Sequence, residues 1–232
     1  PIIFLVGSVG VGKSSQINLL HKGLCNLGLK VTSAHIRFNH FFAYLLTWFV
    51  ARIAGGSIKY EPLSTIHRYN SKLLNKLYKL WLFLSIISIT IKYLATVYLP
   101  HKFGYAVLVE DGPITTICDY LHILRAFNIK HRSNFTIRYF LKMLKINTNV
   151  YVIVLDSSIK MLTHRWKMRG SFSADKAYLQ DPLDYIGFHR RMLPALTRIA
   201  EVKYLIINTE GQTPNQVADK ILGWILKCPS FL

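Results

Sequence analysis

Five short apolar runs punctuate the chain, at residues 2–6, 30–37, 105–110, 149–155 and 203–208. Their lengths suit strands, and the segments between them space apolar residues at helical intervals. Strands that alternate with helices predict a parallel sheet covered on both faces, an α/β fold of three layers. The gap at 38–104 is longer than one helix and predicts a helical insert at an edge or on one face of the sheet. No internal repeat, no linker rich in Pro, Gly or Ser and no sharp change of composition divides the 232 residues. One domain over 1–232 is therefore expected.

The insert holds the most apolar stretch. Residues 80–99 carry a single charge, Lys92, and reach the length of a membrane span. A lone span would put the second and third strands on opposite sides of a bilayer, which a parallel sheet forbids, and 41–51 is too short to cross back. Ser85, Ser88, Lys92 and Thr96 recur every three or four positions, so the reading is a core helix with a narrow polar stripe. Upstream, Lys72, Lys76 and Lys79 share one helical face, and Arg138, Lys142 and Lys145 repeat the arrangement. Such faces are either solvated or, beside exposed apolar helices, the means by which a monotopic protein rests on anionic lipid.

Charge narrows the partners. The chain has 29 Lys and Arg against 11 Asp and Glu, so its surface potential favours anions: nucleotide phosphates, acidic lipid or nucleic acid. It contains no aromatic-basic recognition module and no zinc knuckle, so nucleic acid is not the expected partner. Cys25, Cys118 and Cys228 show no CxxC spacing and read as reduced structural thiols. The run at 2–6 is too short for a signal-peptide core and leads straight into glycines. A cytoplasmic location is expected, with peripheral contact to a membrane surface left open.

Gly7-Ser8-Val9-Gly10-Val11-Gly12-Lys13-Ser14 matches GxxxxGK[ST], directly after the first strand and before the amphipathic stretch 15–28. The order strand, glycine loop, helix is the one that turns successive N–H groups inward and adds the positive end of a helix to hold phosphate. A chance match in such a chain is of order one in a hundred. Gly7, Ser8, Val9, Gly10, Val11, Gly12, Lys13, Ser14 and Ser15 are the candidate nucleotide-binding residues. Lys13 should bridge the terminal phosphates of ATP, and Ser14 should bind the accompanying magnesium.

The loop names a ligand and not a reaction. The third strand ends in Glu110-Asp111-Gly112-Pro113, the only adjacent carboxylates in an acid-poor chain. A carboxylate there can hold the magnesium shell or orient an attacking hydroxyl, so Asp111 is a candidate catalytic and metal residue, with Glu110 beside it on the substrate side. Asp119 is expected at the surface. Residues 158–170 predict a helix carrying Arg165 and Arg169 on one face before a polar stretch, which suits a lid over about 165–180 that neutralises charge on a migrating phosphoryl group. No NKxD-like segment follows a strand, which disfavours a GTPase; the last strand runs into Asn208-Thr209-Glu210-Gly211.

Together these marks resemble the thymidylate kinases among the P-loop nucleoside monophosphate kinases. The resemblance spans nearly the whole chain: the P-loop, the acidic strand end near 111, the lid arginines with Gly170, the helix at 184–191, and the closing 207–211 with its helix at 214–226. It implies ATP and magnesium served by Lys13, Ser14, Arg165 and Arg169, a catalytic centre at Asp111, an acceptor-binding role for Arg37, phosphorylation of a nucleoside monophosphate such as dTMP, and a homodimer. Three positions depart from the family. Val9 stands where members carry an acid, Gly112 where they carry an arginine, and the stretch 83–90 offers only apolar and hydroxyl groups where they place an arginine. All three fall on the acceptor side. The alternatives are therefore a kinase for a non-nucleotide, membrane-associated acceptor, or a regulatory ATP-binding protein without transfer activity.

Overall fold

Every residue of the first strand, β1 (Ile2–Gly7), is buried, which requires cover on both of its faces. A computed structural model of the chain describes residues 1–37, 41–53, 62–129, 134–146, 149–168 and 181–228. In it α1 (Lys13–Asn26), β2 (Val31–Ile36), α2 (Phe41–Ile53) and α3 (Pro62–Tyr93) follow β1. A π turn over Leu94–Tyr98 and the short α4 (Leu99–Lys102) lead to β3 (Ala106–Asp111), α5 (Pro113–Ala126) and α6 (Asn134–Lys145). Then come β4 (Val150–Asp156), α7 (Ile159–Met168), α8 (Pro182–Ile199), β5 (Lys203–Asn208) and α9 (Pro214–Leu226). All five strands lie parallel in the order β2-β3-β1-β4-β5.

The two-residue period of β1 explains the three layers. Ile2, Phe4 and Val6 point to a core shared with α2, α3, α5 and α6. Ile3 and Leu5 point the other way, onto α1, α7 and α9. The sheet order brings β1 to the centre, between β3 and β4. The carboxyl ends of β1 and β3 then open side by side, which is where a doubly wound sheet binds ligands. The five-stranded parallel sheet with helices on both faces is the architecture the apolar runs predict, with strand limits shifted by a residue or so.

The insert differs from its expectation. The stripe of Ser85 and Ser88 faces inward and is fully buried, while Leu80, Phe83, Ile91 and Leu94 of the same helical segment are exposed. It is therefore not a core helix with a polar outer edge. Hydrophobicity around the whole circumference gives no signal for which side meets the sheet, and small hydroxyl side chains allow the close approach that packing there demands. Within α3 the backbone leaves helical geometry at Asn70 (φ −155°, ψ 78°), whose side chain accepts a hydrogen bond from the Leu73 N–H at 3.0 Å. Asn70 thus caps a second helix inside the first. Lys72, Lys76, Lys79, Arg138, Lys142 and Lys145 are all exposed, as their spacing predicts.

α1 anchors the P-loop to the sheet through Ile17, Leu20 and Leu24. Leu20 is completely buried, so Leu20→Ala removes a packed side chain and should cost about 2–5 kcal/mol in urea unfolding. Leu27→Ala, at a position half exposed just past the same helix, should cost less than about 0.5 kcal/mol. Equal effects at the two positions would contradict this packing.

Candidate active site

The turn between β1 and α1 is built from glycine where no other residue fits. Gly12 opens α1 with φ +104°, and no side chain caps the helix there. The first amides of α1 thus have no side-chain cap, and the positive end of the helix adds to the pull they can exert on an anion. Beside them lies a cavity of about 420 Å³ lined by Gly10, Gly12, Gln16, Arg165, Thr209 and Gln212. Arg165, from α7, leans across it toward Thr209, with Nη1 at 3.4 Å from Oγ1.

Strand register brings the rest of the site to the loop. β1 pairs with β3 so that Leu5 stands opposite Glu110, and β2 pairs with β3 so that Ile36 stands opposite Asp111. The Lys13 ammonium donates to the Gly7 and Ser8 carbonyls at 2.8 and 3.3 Å. It lies 3.4 Å from Asp111 Oδ1, with side-chain exposures of 6 % and 1 %. The other oxygen, Oδ2, lies 3.3 Å from Arg37 Nε and 3.4 Å from His35 Nε2. The Ser14 hydroxyl donates to Glu110 Oε1 at 2.9 Å.

Asp111 is fully buried, and burial by itself would raise its pKa. The Lys13 ammonium, His35 and the Arg37 guanidinium overcome that penalty and hold the carboxyl far below the usual carboxylate range. It is a fixed negative charge at neutral pH. Its backbone sits in the left-handed region at φ +69°, which an aspartate tolerates better than most residues.

The carboxylate nearest the Ser14 hydroxyl is thus Glu110. Asp111, also expected on the metal, lies against the Lys13, Arg37 and His35 side chains. Arg165 reaches the cavity as its helical position predicts; Arg169 and the rest of the lid, 169–180, lie outside the described residues. His35 was not anticipated, although two-residue alternation along β2 already puts it on the same face as Arg37. Asp119 is not at the surface. It is 2 % exposed, accepts from Tyr185 Oη at 2.9 Å and lies 3.1 Å from His189 Nε2, because α5 runs beneath α8. Among the three cysteines only Cys118 is buried, and burial pushes its thiol pKa up.

The departures on the acceptor side have physical causes. At Gly112 (φ +111°) a Cβ would meet the Phe4 ring at 2.5 Å, so β1 fills the volume that a side chain would need. Val9 packs on the apolar cluster beneath the loop. In α3, Thr90 Oγ1 back-bonds to the Ile86 carbonyl at 2.7 Å and lies 2.7 Å from Tyr139 Oη, so this hydroxyl serves the helix packing.

The depressed pKa of Asp111 has a signature in stability. Its folded value lies below the ordinary value of about 4, so its contribution is complete above that pH and is lost as pH falls below it. The stability difference between the protein and Asp111→Asn, measured by denaturant titration, should therefore narrow between about pH 5 and pH 2. A difference that stays constant with pH would show that the carboxylate's charge is not what matters.

No protein-family model and no curated protein matches the chain. Solved structures do match it in fold. A thymidylate kinase from Candida albicans matches with a TM-score of 0.55 at 11 % identity, over 97 % of this chain and 90 % of that one. A deoxyadenosine kinase from M. mycoides matches with a TM-score of 0.51 at 13 % identity, over 97 % of this chain and 99 % of that one. The likeness establishes that the chain has the α/β fold of the P-loop kinases.

Proposed function

We propose that this protein transfers the γ-phosphoryl group of ATP to a small acceptor, with a nucleoside monophosphate such as dTMP as the first class to test. One observation carries the reading: a P-loop ammonium and the carboxylates at the end of the neighbouring strand share one site, Lys13 against Asp111 and Ser14 against Glu110. Phosphoryl transfer asks a protein for positioning and charge neutralisation more than for covalent chemistry. The free amides at the start of α1 and the Lys13 ammonium supply the first demand on the donor side. Arg165 supplies positive charge at the cavity, and Asp111 offers an acceptor hydroxyl a fixed anion flanked by Arg37 and His35.

Magnesium fits the donor set. Ser14 and Glu110 present hard oxygen atoms 2.9 Å apart. That suits an ion that keeps several waters and takes phosphate oxygens as ligands. Bound there, magnesium would neutralise charge on the phosphate oxygens.

A second reading, a non-nucleotide acceptor, is favoured by the blocked volume at Gly112 and by the stretch 83–90, which carries no cation. An acceptor phosphate in a dry site needs paired positive charge. Purified protein with magnesium and labelled ATP, offered dTMP, dUMP and other monophosphates, separates the two by the labelled product. Tight ATP binding with no transfer to any acceptor would support a regulatory role instead. In any transfer assay Lys13→Ala should lower turnover by on the order of a hundredfold or more, with a folded protein by thermal scan. Unchanged turnover would mean that the site lies elsewhere.

A further inference from the structure

We propose that α2 and α3 form a docking surface for an anionic lipid bilayer, on which the protein lies without crossing it. On α3, Leu80, Phe83, Ile91 and Leu94 are 43–59 % exposed. Their spacing of three, eight and three residues puts them on one stripe. Followed toward the start of the helix, the same stripe becomes Lys72, Lys76 and Lys79, all exposed. On α2, Phe42, Leu45, Phe49 and Ile53 are 51–69 % exposed and again recur at three and four residues. The two helices pack on each other and bury their opposite sides in the core. In the most apolar part of 72–102 only 39 % is buried.

Three occupants compete for such a face, and the fold and the charges choose among them. A single crossing of the bilayer is excluded by the sheet, and α2, at 13 residues, is too short to make a second one. β2 and β3, which bracket the insert, pair directly from Val31 opposite Ala106 to Ile36 opposite Asp111, so both ends of the insert return to one body on one side. A second copy of the chain is disfavoured by charge. Residues 38–104 hold eight Lys and Arg and one acid, Glu61, so a second copy would add positive charge to the face and almost no acid to pair it. A lipid surface meets both demands, because headgroup phosphates pair with the lysines while the apolar stripe enters the acyl boundary. The surface also adjoins the site: Phe41 starts α2 four residues after Arg37, a chain reach of at most about 14 Å.

The test does not depend on phosphoryl transfer. The full chain is co-sedimented with vesicles of phosphatidylcholine alone and of phosphatidylcholine with about a third phosphatidylglycerol, at low and high salt. Partition should be at least about tenfold stronger on the anionic vesicles and should weaken as salt rises. The triple variant Lys72→Glu, Lys76→Glu, Lys79→Glu should lose at least about tenfold, and Phe49→Glu with Phe83→Glu should abolish partition, both with an unchanged thermal midpoint. Should the phenylalanine variant fail to fold, the lysine variant decides. Equal binding to neutral and anionic vesicles, no binding at all, or a stable solution dimer that the phenylalanine variant dissociates would each overturn the proposal.

Discussion

A buried ammonium and a buried carboxylate hold the centre of this molecule together. Lys13 belongs to the helix after β1 and Asp111 to the end of β3, and their side chains meet at 3.4 Å in the interior. If the ammonium were lost, Asp111 would keep Arg37 and His35 beside it, whereas loss of the carboxylate would leave the ammonium against the Gly7 and Ser8 carbonyls without that counter-charge, a costly arrangement in the interior. The pairing therefore demands that β1 and β3 be neighbours and end at the same level. The observed register supplies that, with Leu5 opposite Glu110. The glycine loop, the left-handed backbone at Asp111 and the close approach of Gly112 to Phe4 are local adjustments that let the two charges meet.

Around that pair the site is asymmetric. The donor side has open space and amides without side-chain partners, bounded by Arg165 and Thr209. On the acceptor side Asp111 draws Arg37 and His35 toward itself, and an aromatic ring takes the place of a side chain at Gly112. The positive charge there is thus already committed to a carboxylate. On the proposed function, an acceptor must either exchange with that carboxylate or bind by hydrogen bonding and shape.

The two sides of the sheet are also unlike. The cluster on α1, α7 and α9 closes beneath the cavity at the glycine loop. The cluster on α2, α3, α5 and α6 is larger, and it ends in helices that are apolar on both faces. A helix that satisfies the core with one face and presents leucine and phenylalanine with the other is out of balance in water, since exposed apolar patches of this kind mark interaction surfaces. The neighbouring lysines decide what kind of surface it meets.

Much of this was legible in the sequence because it depends on local pattern. Strand lengths, the alternation of strands with helices and the GxxxxGK[ST] spacing depend on neighbours within a few residues, so the sheet, its helices and the glycine loop between β1 and α1 could be read directly. Exposed lysines at helical spacing were legible for the same reason. What the tertiary structure alone decided were meetings between distant segments. That Glu110 rather than Asp111 reaches Ser14, that His35 joins Arg37 on Asp111, and that Asp119 is sealed under Tyr185 and His189 all follow from strand order, register and helix crossing. The inward turn of Ser85 and Ser88 belongs with these. A helix apolar on every side carries no internal instruction about which face the core will take, and only packing against the rest of the chain supplies it.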